Sequence, residues 1–143
     1  MKTLGFATLL LSAVSATAAD KATGPANEPA YNTATVVDIR ETVTEVREVS
    51  KDQPMNGLHV MVQSGSETLD IYVAPAEFVK IFDVTFKKGD ELHIIGSKVK
   101  FEGATVVLAR EISMNTPGGT VTLSLRDKDG APLWKYFLKP PVG

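Results

Sequence analysis

Apolar and polar positions alternate in short runs along most of this chain. Leu58, Val60 and Val62 alternate with His59 and Met61, and Leu69, Ile71 and Val73 alternate with Asp70 and Tyr72. A period of two puts each set on one face of a strand. The intervening Gly65-Ser66, with Gly first, suits a type II′ hairpin turn. That loop sets Val62 opposite Leu69, Val60 opposite Ile71 and Leu58 opposite Val73, all on one face. A three-residue loop would oppose apolar to polar residues, so the pattern selects the register.

Thr35 to Val49 is less regular. Val36, Ile39, Val43 and Val46 have helical spacing, yet Val, Ile and Thr dominate the segment and favour strands. It reads as one long strand with a bend or bulge near Glu41 to Glu45, where the alternation loses phase. Pro75 to Asp83 is the one predicted helix, with Pro in the first turn and Phe78, Ile81 and Phe82 as its apolar stripe. Phe86 to Asp90 turns into a strand from Glu91 to Ile95, Gly96 allows a bulge, and Val99 and Phe101 lead to a Glu102-Gly103 turn. Thr105 to Ile112 returns as a strand, Asn115 to Gly119 is a loop, and Val121, Leu123 and Leu125 mark an extra C-terminal strand. Asp127 to Gly130 is a turn before a further segment, Ala131 to Leu138. Three strands, one capping helix (about 75–83), then two strands is the order of an OB-fold, a five-stranded, partly open Greek-key barrel. The fold class is mainly β.

The first nineteen residues depart from this pattern. Lys2 precedes an apolar run, Leu4 to Val14, and then small residues, Ser15 to Ala19. This is the layout of a secretory signal peptide cleaved near Ala18 or Ala19, and the run is too short for a spanning helix. The expected destination is the periplasm or the exterior, with no membrane span after cleavage. Residues 20–32 read as a flexible lead-in, residues 33–138 as one OB-fold domain, and residues 139–143 as a loose tail.

Composition narrows the chemistry. The 143 residues include 15 Lys+Arg, 17 Asp+Glu, 2 His and no Cys, and 43% are apolar. Zero Cys excludes disulfides, thiolate metal sites, haem attachment and cysteine nucleophiles. A formal charge of -2 argues against a generally basic nucleic-acid binder. The charge is uneven, with an acidic half up to Val79 and a mildly basic one after it. Lys87, Lys88, Lys98, Lys100 and Arg110 form a candidate basic patch, although Asp90, Glu91, Glu102 and Glu111 are interspersed.

Several local patterns carry a resemblance. They are Gly57-Leu58-His59-Val60, Val73-Ala74-Pro75, Lys88-Gly89-Asp90-Glu91-Leu92, Ile95-Gly96-Ser97, Ala109-Arg110-Glu111, and the ending Leu125-Arg126-Asp127 through Gly130-Ala131-Pro132-Leu133-Trp134. Together, over roughly Thr35 to Trp134, they resemble small exported bacterial OB-fold domains found beside or within multihaem cytochrome and magnetosome proteins. The resemblance implies a periplasmic OB-like module. It brings no catalytic residues, and without haem-attachment Cys any redox role would be an accessory one.

No motif points to catalysis. Asp127-x-Asp129-Gly130 matches the start of a calcium loop, but Ala131 and Leu138 stand where further ligands belong, so a turn explains it. His59 and His93 are the only imidazoles and have no third ligand nearby, so no metal or other cofactor is expected. No Gly-x-Ser-x-Gly elbow occurs, and Gly118-Gly119 lacks the Lys-Ser/Thr of a phosphate loop. An OB-fold binds ligands on the outer face of strands two and three. Here that face carries His59, Met61, Asp70 and Tyr72, with one aromatic for stacking and no Lys or Arg from Asn56 to Val79. Trp134 reads as a core residue covering the barrel end. The expectation is an exported, non-catalytic module binding a periplasmic protein or small ligand on that face. The alternatives are single-stranded nucleic-acid binding through the Lys-rich second half, and an envelope stress or redox-accessory structural protein.

Overall fold

The computed structural model describes residues 28–138, so the expectations for the leader, for residues 20–27 and for the tail lie outside the described residues. Six strands form one sheet: β1 (Val36–Val49), β2 (Gly57–Ser64), β3 (Glu67–Ala74), β4 (Glu91–Phe101), β5 (Ala104–Thr116) and β6 (Gly119–Ser124), with helix α1 (Ala76–Ile81) between β3 and β4. Their order is β3-β2-β1-β4-β5-β6, and β3 also pairs with β5 in parallel. That last pairing closes the first five strands into a barrel and leaves β6 outside it. The OB-fold-like architecture expected from the element order is therefore present, together with the extra C-terminal strand.

Each irregularity has a local cause. β1 shifts register between Val43 and Glu45, so Val37, Ile39 and Val43 face inward before the bulge and Val46 after it. The second shift falls between Ile95 and Gly96. There a β-carbon at Gly96 would lie 2.3 Å from the Leu108 carbonyl oxygen, so only glycine lets β4 cross so close to β5. The β2–β3 hairpin has the expected register at Val62–Leu69 and Val60–Ile71, but a further shift puts Leu58 opposite Ala74 instead of Val73.

The barrel interior is aliphatic, with Val60, Val62, Ile71, Ile94, Val107 and Ile112 buried, and Leu123 of β6 packs against the same core. Helix α1 covers one end through Phe78 and Val79. Ile81, expected in its stripe, is 57% exposed, because six helical residues make fewer than two turns and Phe78 and Val79 already fill the contact. The Ala131 to Leu138 segment is not a strand. It makes one bridge, Arg126 to Pro132, and a 3-10 turn over Leu133–Tyr136. This turn brings Trp134 against Phe78 and Tyr72, at ring-centroid distances of 5.8 and 6.1 Å.

A second, smaller core lies outside the barrel wall. Met55, Tyr72, Val106 and Leu108 are buried there beneath Tyr31, Val99, Phe101 and Trp134. The β3–β5 pairing sets Asp70 beside Val106 and Tyr72 beside Leu108, which builds its floor. Its sequence signature is the unbroken run Val106-Val107-Leu108-Ala109, apolar on both faces of one strand. Residues Glu28 to Asn32 belong to this packing and are not a loose lead-in. The Asn32 backbone N–H donates to Ser97 Oγ (3.0 Å), and Tyr31 lies so close over Gly130 that a β-carbon there would meet its ring at 2.2 Å.

Candidate functional site

The β1–β2 loop (residues 50–56) and the β4–β5 turn flank the outer face of β2 and β3. Between them opens a cleft of about 320 Å³, lined by Arg47, Pro54, Met55, Phe101 and Val106, with His59 and Asp70 at its polar end. The walls are mostly aliphatic and aromatic, and the titratable side chains Arg47, Asp70 and Glu102 lie around them. An apolar concavity with a few placed polar groups is the usual form of a small binding site. A larger groove, about 600 Å³, runs along the outer face of β1, β4 and β5 past Arg40, Glu91, His93 and Ser113. Its exposed lining is more polar than that of the cleft, although Leu92 and Met114 reach it from the core.

His59 dominates the cleft chemically. It was expected to point outward into solvent, and it does leave the barrel interior, but it is only 3% exposed. The second core covers it. His59 Nδ1–H donates to Asp70 Oδ1 and Nε2–H to the Met55 carbonyl oxygen, both at 2.6 Å. The Met55 carbonyl can only accept, and a carboxylate at Asp70 accepts as well, so the arrangement favours the doubly protonated ring. Burial opposes the charged ring, but the Asp70 and Met55 hydrogen bonds outweigh it, and the pKa of His59 is raised above its ordinary value. Met55 adopts a left-handed backbone, φ 59°, which places its carbonyl over the ring and its side chain in the second core.

The other expected residues separate. Asp70 reaches the cleft mouth, with its side chain 24% exposed. Tyr72 is 1% exposed beneath His59, with ring centroids 5.1 Å apart, and its hydroxyl donates to the Asn56 carbonyl. Burial pushes that hydroxyl well above the usual phenol range. Tyr72 is thus a support for the loop and not a surface for stacking. Met61 sits half-buried opposite Asp70 and does not line the cleft. Arg47, Met55, Phe101 and Val106 were missed by the sequence reading, since they come from separate segments that only the closed barrel brings together.

The five basic residues do not form one patch. Lys87 and Lys88 precede β4, whereas Lys98 and Lys100 lie near its end, on the order of 30 Å of strand away. Arg110 stands beside the middle of β4. Lys98 pairs with Glu67 at 3.0 Å, and Lys100 donates to Thr105 Oγ1. His93 contacts Asp38 on the β1–β4 surface, apart from the cleft. Among the described residues no group of three His, Asp or Glu could hold a metal ion. Asp127 Oδ1 accepts from the N–H groups of Asp129 and Ala131, both at 2.9 Å, which makes the expected turn.

A buried arginine closes the opposite side of the second core. Arg126, 7% exposed, stacks on Trp134 and Tyr31 with its guanidinium carbon 5.1 and 5.9 Å from the ring centroids. Its Nη1 donates to the Gly130 carbonyl (3.0 Å). The Leu-Arg-Asp…Gly-x-Pro-Leu-Trp ending is therefore a structural latch.

The fold and cleft define an OB-fold-like barrel with a covered outer core, the kind of frame that carries a ligand cleft between its loops. Residues 35–117 match the MamS/MamX magnetosome protein family, and the chain belongs to that family. Among curated proteins no relative matches the chain.

Proposed function

We propose that this member of the magnetosome family is an exported, non-catalytic binding module whose ligand, a periplasmic protein or a small molecule, seats in the cleft between residues 50–56 and the β4–β5 turn. One observation carries the reading. Two loops converge on an apolar cleft with a buried histidine, hydrogen-bonded through both ring nitrogens, at one end. The leader-like first nineteen residues support export. His59 supports a binding role over acid–base catalysis, since both its nitrogens are committed to fixed acceptors. Phe101 and Val106 offer apolar contact, and Arg47 and Asp70 offer polar anchors at the mouth.

The test is retention of partners from a periplasmic extract by immobilised wild-type chain and by the double variant Arg47→Glu, Phe101→Ser. The wild type retains a species that the variant loses at unchanged far-UV circular dichroism. Equal retention by a folded double variant would remove the cleft from the proposal.

A further inference from the structure

Strand β6 ends the sheet. Among the described residues it pairs with β5 alone, through Glu111–Ser124 to Thr116–Gly119. An open strand edge is a template for another strand, and proteins commonly guard it with charge, Pro or a bulge. Other open stretches among the described residues are the first half of β1, which pairs only with β4 and carries Asp38, Arg40 and Glu41, and the end of β4, which pairs only with β5 and carries Lys98 and Lys100. β6 has no such guard. Gly119 to Ser124 contains no charged residue and no Pro, and its pairing has no register shift.

The backbone directions identify which groups are free. In an antiparallel ladder, alternate residues direct both N–H and C=O to the same side. Just past β6 the Leu125 N–H donates to the Arg110 carbonyl of β5 at 2.8 Å, while its own carbonyl turns away to accept from the Leu133 N–H at 3.0 Å, so the open edge ends at Ser124. By alternation, Leu123, Val121 and Gly119 also face β5, and Thr120, Thr122 and Ser124 direct their backbone groups outward. The outward set is centred on Thr122.

We propose that β6 pairs antiparallel with β6 of a second copy of this chain, about a two-fold axis through Thr122. In that arrangement Thr120 of one copy meets Ser124 of the other, Val121 meets Leu123, and Thr122 meets itself. Hydroxyl residues oppose hydroxyl residues and aliphatic residues oppose aliphatic ones. This is the self-complementarity that an isologous interface requires. Thr–Thr and Thr–Ser pairs are favourable across strands, and no like charges come together. Val121, half-covered in the single chain, gains apolar cover. The outward backbone groups of all three residues find partners, and the two sheets become one. A heterologous charged peptide would find no opposite charge on β6, which favours a second copy as its occupant. Five paired residues from each copy form a small interface, so the dimer dissociates on dilution.

The chain has no Cys, so an introduced cysteine reports without interference. Sedimentation equilibrium of the full-length chain is expected to show a monomer passing to a dimer with rising concentration. Under mild oxidation, Thr122→Cys should cross-link to its own copy, because hydrogen-bonded strand partners hold their α-carbons about 5.5 Å apart, within disulfide reach. Ser124→Cys alone should not, since two copies of residue 124 would lie roughly 14 Å apart along the strands. A mixture of Thr120→Cys and Ser124→Cys chains should cross-link as a heterodimer. That mixture decides the matter if Thr122→Cys fails to fold. A wild-type monomer up to about 1 mM, absence of cross-linking in folded variants, or equal cross-linking of Thr122→Cys and Ser124→Cys would overturn the proposal.

Discussion

His59 and Arg126 stand at opposite ends of one aromatic row. His59 meets Tyr72 edge-on at 5.1 Å, Tyr72 meets Trp134 at 6.1 Å, and Trp134 lies 5.1 Å from the Arg126 guanidinium carbon. Both are cations buried in the second core, and they are held by different means. His59 is fastened by hydrogen bonds on both nitrogens, whereas Arg126 makes one through Nη1 and keeps a buried Nε with no partner among the described residues. Cation–π contact with the faces of Trp134 and Tyr31 holds Arg126 instead. The half-buried Glu28 is its neighbouring carboxylate, with a pKa raised by burial and partly offset by Arg126. The charge of Arg126 is permanent, while that of His59 depends on one proton. The latch side is therefore built for permanence, and the cleft side carries a group whose state responds to its surroundings.

The most severe way to break this comparison is to remove what joins its two sides. Trp134→Ala deletes the indole that touches Tyr72, Phe78 and Arg126. The expected cost is about 3 kcal/mol, in line with large aromatic truncations, measured as a fall in the urea midpoint. His59→Leu comes next. It leaves the Met55 carbonyl and the Asp70 carboxylate without their donor, and a buried unsatisfied acceptor next to a charged one costs about 2 kcal/mol. Arg126→Met should be milder, below about 1 kcal/mol, because Met retains apolar contact with Trp134 and removes the unbonded Nε. An Arg126→Met chain less stable than His59→Leu would show that stacking, and not hydrogen bonding, is the stronger fastening here.

Much of the barrel was legible because strand alternation states which face a side chain occupies. The β2–β3 register at Val62–Leu69 and Val60–Ile71, the bulge in β1 and the bend at Gly96 followed from phase and glycine placement, whereas the slip at Leu58 did not. Alternation does not state whether an outer face is covered. His59 and Tyr72 were placed on the correct face and expected in the open, yet Met55 covers it from a loop, Phe101 from the end of β4, and Tyr31 and Trp134 from the two ends of the described chain. Those contacts span most of the sequence and leave no local period. The available hint was Val106 to Ala109, where apolar residues on both faces of one strand signalled a second layer. Glu28 to Asn32 misled for a related reason. Pro and Asn composition suggests looseness, but one ring over Gly130 and one N–H to Ser97 suffice to dock the segment.

The smallest effect and the sharpest form of the comparison come from pH. The pKa of His59 is raised in the folded chain, so the folded state holds the proton more tightly than the unfolded one. Its contribution is complete below the unfolded histidine value of about 6.5 and is lost as pH rises through the higher folded value. Thermal midpoints taken between pH 6 and 9 should therefore decline for the wild type. Arg126→Met should show the same decline from a different starting midpoint, since Arg126 does not titrate in that window. His59→Leu should lose this component, because no imidazole remains to give up the proton. In Asp70→Asn the decline should weaken, because the amide keeps a hydrogen-bond acceptor but no charge to hold the imidazolium. A pH slope that survives unchanged in His59→Leu would assign the sensitivity to another group, and the contrast between a conditional and a permanent buried charge would fail.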